Sequence, residues 1–220
     1  MSTPVRPIRD RAALSGPVSG ATFLAGLAGA LTTADVPYPR PGSDVETIRR
    51  FFSGNRGSAR LSAVGQLVSA ATLGRFTVSV VRLAGASGRG SRALQTMAAV
   101  GGAAAAATLA TSGLLTAALT TDRAADDDRA VALHRRAFLA GGVAHGVGYG
   151  LLVGALGMAG DRTGVLPRGV ARLALGSAAA NLLTPLYLVA EPAALFIPAG
   201  RFSGLVVQSV AGVRMARGHR

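Results

Sequence analysis

The sequence predicts an all-α fold, a polytopic transmembrane helical bundle of about six spans that enters and leaves on the same side. Three observations carry this. Half of the 220 residues are apolar and gather into runs of about 20, the length that crosses a ~30 Å hydrocarbon core at ~1.5 Å per residue. The arginines fall in small groups between these runs. Within one run, GGVAHGVGYGLLVGALG, glycine recurs every fourth residue at Gly142, Gly146, Gly150 and Gly154. Each costs a helix interior about 1 kcal/mol relative to Ala in water, but in lipid small residues let neighbouring backbones approach closely.

Taken in order, the spans are expected at about 12–34, 61–81, 93–120, 137–160, 171–190 and 193–213, with residues 1–220 as one membrane domain. The first follows Arg6, Arg9 and Arg11, and its Ala28-Gly29-Ala30 has the look of a signal-peptide cleavage site. The run outlasts a usual signal-peptide core and carries Gly16-Pro17 near its start, so it reads as a retained span. Residues 35–60 hold a capping-box pattern, Ser43 with Glu46. Val45, Ile48 and Phe52 then share a face, Glu46 reaches Arg49 or Arg50, and Gly54 ends the turn. The reading is a short helix lying in the membrane interface. Asp122 and the Asp126-Asp127-Asp128 run open the fourth helix, where acids suit the positive end of the dipole. Only Glu191 and Pro192 join the last two spans. They form a tight hairpin, or the last is a short helix preceded by a partly inserted loop containing Pro198.

Charge orients the bundle. With both ends cytoplasmic, twelve arginines lie inside and nine outside, in the sense of the positive-inside rule. Eight of the ten acids fall outside, among them Asp35, Asp44, Glu46 and Glu191. The formal charge of +13 is carried by arginines in small groups between long apolar runs, with few aromatics, a pattern suited to anionic headgroups rather than to nucleic acid.

Little in the sequence points to chemistry. No cysteine is present, which removes thiolate sites and disulfides. At 100° per residue the four glycines form one groove, with His145 and Tyr149 on its edge, facing protein. That groove is expected to meet another helix, within the bundle or in a second copy or membrane partner. His145 has only His134 and His219 as fellow histidines, both outside the spans, so neither a haem nor a metal is expected and no cofactor is assigned. Gly85-Ala86-Ser87-Gly88 matches an intramembrane-protease pattern but sits in an Arg-flanked turn. A Ser–His pair between His145 and Ser112 or Ser177 is the one catalytic arrangement that spacing leaves open. Arg75 and Arg201 lie within spans and are expected to snorkel, with an Arg201–Glu191 ion pair as the alternative. Asn181, with Thr184 and Pro185, marks an interrupted fifth span that would line a polar cavity.

ARLSAVGQLVSAATLGRF in the second span and the C-terminal FIPAGRFSGLVVQSVAGVRMARG resemble a group of small, mostly uncharacterised multi-pass membrane proteins of high-GC bacteria. The resemblance implies a compact helical bundle in the bacterial plasma membrane and carries over no catalytic residue. The expected function is that of a non-enzymatic structural, regulatory or accessory membrane subunit. The alternative is a small transporter or lipid-handling protein with a cavity near Asn181, and an intramembrane enzyme comes third.

Overall fold

The computed structural model describes residues 9–88, 90–121 and 126–218. Arg6, Arg89, Asp122, Arg123, His219 and Arg220, which enter the charge and ligand arguments above, lie outside them. Every regular element among the described residues is helical: α1 (Ser15–Thr33), α2 (Val45–Gly54), α3 (Arg56–Gly85), α4 (Ser91–Ala118), α5 (Asp127–Phe138), α6 (His145–Thr163), α7 (Arg168–Leu182) and α8 (Phe196–Arg217). A π-helical turn, Leu139–Ala144, joins α5 to α6 without a break.

Five helical stretches are long and apolar enough to cross a membrane: Arg11–Thr33, Arg56–Gly85, Ser91–Ala118, Asp127–Thr163 and Glu191–Arg217. The expected 171–190 span is not one helix. α7 stops at Leu182, and a 3-10 segment, Thr184–Leu188, follows. Pro185 is the cause, since it has no N–H to offer the Asn181 carbonyl four residues back. The Thr184 hydroxyl donates to that carbonyl instead, at 2.8 Å. The second 3-10 segment, Glu191–Leu195, leads into α8, and Pro198 sits in the first turn of that helix rather than in a loop.

The helices close into a ring: α1 packs on α3, α3 on α4, α4 on α6, α6 on α7, α7 on α8, and α8 on α1. α6 also reaches α3 and α8 across the interior. It therefore has neighbours on every side, and none of the large exposed apolar side chains belongs to it. Contacts tie the helix ends into two groups. At one end Asp10 N–H donates to the Met215 carbonyl at 3.0 Å. There too Arg82 lies 3.8 Å from Asp10, and Arg214 Nε donates to the Val165 carbonyl. At the other end Thr33 meets Ser58 and Arg49 pairs with Asp127.

α2 corrects two expectations. Its cap is Asp44, not Ser43: the Asp44 carboxylate accepts from Thr47 N–H at 2.7 Å, which holds its pKa below the usual carboxylate value. Its apolar face is turned to protein rather than to lipid. Ile48, Phe51 and Phe52 are buried against Ala59, Leu119 and Ala130, with Tyr38 edge-on to both phenylalanines. α2 thus caps one end of the bundle, held also by Asp35 N–H on Asn55 Oδ1 and by Glu46–Arg50 at 2.7 Å. The fourth membrane-length stretch begins at Asp127, ten residues before the expected start, with Asp126 as its cap.

A candidate site at the π-helical turn

α6 is glycine-rich because several helices press on it at once. Cβ atoms added at Gly150, Gly154 and Gly157 would meet α7 at Asn181, Ala178 and Ala174, while one at Gly146 would meet Thr184. That side of the groove is filled within the chain. Gly142 has only ordinary contacts, with Phe138 and Ile197. Closer backbone approaches lie elsewhere. A Cβ at Gly148 would stand 2.6 Å from Ala105 N and 2.8 Å from the Gly101 carbonyl on α4, and Gly26 meets Gly65 as closely between α1 and α3.

His145 and Tyr149 are buried and stack at 5.3 Å. His145 Nδ1 donates to the Ala105 carbonyl at 2.9 Å. Tyr149 donates to Gln208 Oε1 at 2.8 Å, and Gln208 Nε2 donates to the Gly16 carbonyl at 2.8 Å. One hydroxyl and one amide so link α6, α8 and α1. Ser19 and Ser69 join α1 to α3 at 3.0 Å. Gln208 and Ser19 were legible as polar residues inside apolar runs; their partners were not.

The serines that spacing left open for catalysis are committed elsewhere. Ser112 donates to the Ala137 carbonyl at 2.9 Å, and Ser177 to the Gly200 carbonyl at 2.7 Å. Asn181 is buried against Gly150 and Gly200, donating to the Ser177 carbonyl at 2.9 Å. It fills space between α6, α7 and α8 and lines none of the cavities described below. Ser87 caps the end of α3 through the Ala84 carbonyl. Among the described residues no group of three or more His, Cys, Asp or Glu stands ready for a metal ion.

The two arginines behave differently. Arg75 is exposed on α3, as a snorkelling side chain would be. Arg201 turns inward: its guanidinium donates to the Gly141 carbonyl and lies 4.8 Å over the Phe23 ring. Glu191 is exposed in its 3-10 segment, and the expected Glu191–Arg201 ion pair is not formed. The π-helical turn explains the choice. Widening the helix by one residue displaces carbonyls from the regular i→i−4 pattern, and neighbouring elements supply donors: Ser112 to Ala137, Arg201 to Gly141, Thr184 to Val143.

A cavity of about 180 Å³ opens beside this turn. Buried Ser62, Ser112, Thr116 and His134 form its polar wall, with Gln66 half-buried beside them. Phe23, Leu27, Phe138 and Ile197, all half-buried, form its apolar wall. Tyr38 and Pro39 border it from the loop before α2. Burial pushes the Tyr38 phenol up to about 12, opposed by the neighbouring Thr116 hydroxyl. Arg201 also lines a second void, of about 10 Å³, with His145, Tyr149, Gln208 and Ser19. It therefore borders both a water-sized space and the larger cavity.

Five membrane-length apolar helices in a closed helical bundle mark the chain as an integral membrane protein. No family model, no curated protein and no solved structure matches it.

Proposed function

We propose that this is a non-enzymatic protein of the bacterial plasma membrane, of the accessory or lipid-handling kind, that holds an amphiphilic ligand in the cavity beside the π-helical turn. The observation that carries this reading is the pairing of a buried polar wall with a half-buried apolar one around a space of about 180 Å³. An engineered apolar cavity of ~150 Å³ holds benzene, so this space takes a polar headgroup and the first carbons behind it. The commitment of His145, Ser112 and Ser177 to separate backbone carbonyls supports binding rather than hydrolysis. The cavity moves the lipid-handling reading from Asn181 to Arg201. The glycine contacts with α7 leave less of that face for a second copy or partner.

In this reading the chain crosses six times, the fifth crossing made by α7 and the 3-10 segment after it. Both termini are cytoplasmic, with the Arg9, Arg82, Arg162 and Arg214 end inside, against anionic headgroups, and the Asp44, Glu46 and Asp127 end outside. Reporter fusions after Asp127 and after Arg220 then signal opposite sides, and the same side for both refutes the topology. For the ligand, the full-length protein is purified in a mild uncharged detergent and its retained lipids are identified by mass spectrometry. A retained amphiphile that Leu27→Trp displaces supports the reading; identical lipid content in the two proteins refutes it.

A further inference from the structure

We propose that the cavity recognises a monoanionic amphiphile, a carboxylate carrying an alkyl chain, with Arg201 as its charge partner. This rests on the cavity reading above. Arg201 is the only Arg, Lys, Asp or Glu side chain among the described residues lining the space, and no carboxylate pairs with it. A guanidinium offers five N–H donors; the protein engages it through the Gly141 carbonyl and the Phe23 ring face. The remaining donors suit a planar, two-oxygen acceptor, which Arg binds in a bidentate manner. Charge sets the class. One buried cation balanced by one carboxylate leaves no net charge in the low-dielectric interior, whereas a phosphate monoester near its second ionisation leaves an excess negative charge.

Position sets the rest of the ligand. Arg201 meets Phe23 where α8 meets α1, and Leu27 and Ile197 belong to the same two helices farther toward the α2 end. These side chains are half-buried, while Ser62, Ser112 and Thr116, which line the same space, are buried. The head thus sits at Arg201, and the chain runs along Leu27 and Ile197 toward the α2 end.

The test is equilibrium binding of radiolabelled dodecanoate, dodecanol and dodecyl phosphate to the full-length protein in phosphatidylcholine nanodiscs, with empty discs subtracted. Dodecanoate is expected to bind saturably and at least tenfold more tightly than either analogue. Arg201→Gln removes that preference by weakening dodecanoate at least tenfold while leaving dodecanol unchanged, and Arg201→Lys keeps most of it. Equal binding of acid and alcohol in the unmodified protein overturns the charge assignment even if the Arg201 variants do not fold. Tighter binding of the phosphate overturns the carboxylate. Equal loss of acid and alcohol in Arg201→Gln makes the residue structural and also overturns the proposal. If acid and alcohol bind alike but Leu27→Trp blocks both, the cavity reading survives and the anion assignment falls; if nothing binds above empty discs, both fall.

Discussion

Replacing Gly148 by alanine adds one methyl group where α6 and α4 touch backbone to backbone. That carbon would stand 2.6 Å from Ala105 N and 2.8 Å from the Gly101 carbonyl. Ordinary contact begins at 3.4 Å, so the helices must part by about 0.8 Å. A gap of 0.5–1 Å forfeits about a quarter to a half of each dispersion contact it opens, and overpacking of this kind costs about 1–3 kcal/mol. The same displacement stretches the bond from His145 Nδ1 to the Ala105 carbonyl, at 2.9 Å, which adds about 1 kcal/mol. Alanine's helix propensity returns up to ~1 kcal/mol, leaving a net loss of about 1–3 kcal/mol. Gly176→Ala is the control, because Gly176 is exposed on α7 with nothing within 4 Å of an added Cβ. Far-UV circular dichroism of both variants in uncharged detergent, followed against temperature, reads the difference. Gly148→Ala is expected to melt well below the parent and Gly176→Ala at or above it. Matching midpoints for the two variants would refute the claim that backbone contact, rather than lipid exposure, explains the glycines of α6.

Other consequences are as direct. Tyr149→Phe leaves Gln208 Oε1 without its donor at a three-helix junction and is expected to cost about 1 kcal/mol. A double-mutant cycle with Gln208→Leu should show that the two effects do not add, and additivity would dissolve the link. Asp44 has a lowered folded-state pKa, so its support of α2 is full above the ordinary carboxylate range and lost as pH falls through the lowered value. The Thr47 amide shift should report that titration, and Asp44→Asn, which keeps the capping oxygen, should abolish it. The Tyr38 phenol is raised to about 12, so its burial favours the fold fully below pH ~10, its ordinary value. That contribution is lost as pH rises through 12, and an absorbance titration at 295 nm that is unchanged in Tyr38→Phe would count against it.

Hydropathy and charge are properties of the chain alone, and they were enough for the helical class, for five membrane-length stretches and for one acid-rich end. Pro185 and Thr184 could be read as an interruption because a missing N–H is a local fact. The sequence also placed His145 and Tyr149 against protein. It could not say which helix each face would meet, since that depends on residues far apart in the chain. The fourfold spacing marked Gly150 and passed over Gly148, whose close contact appears only once α4 lies on one side of α6 and α7 on the other. The capping-box pattern pointed to Ser43, and the extended backbone at Asp44 makes that residue the cap instead. Arg201 shows the limit most clearly. By position along its helix it should reach for headgroups or for Glu191. It turns inward because a π-helical turn in a neighbouring element offers the Gly141 carbonyl and α1 offers the Phe23 ring, two partners that only the packed bundle brings within its reach.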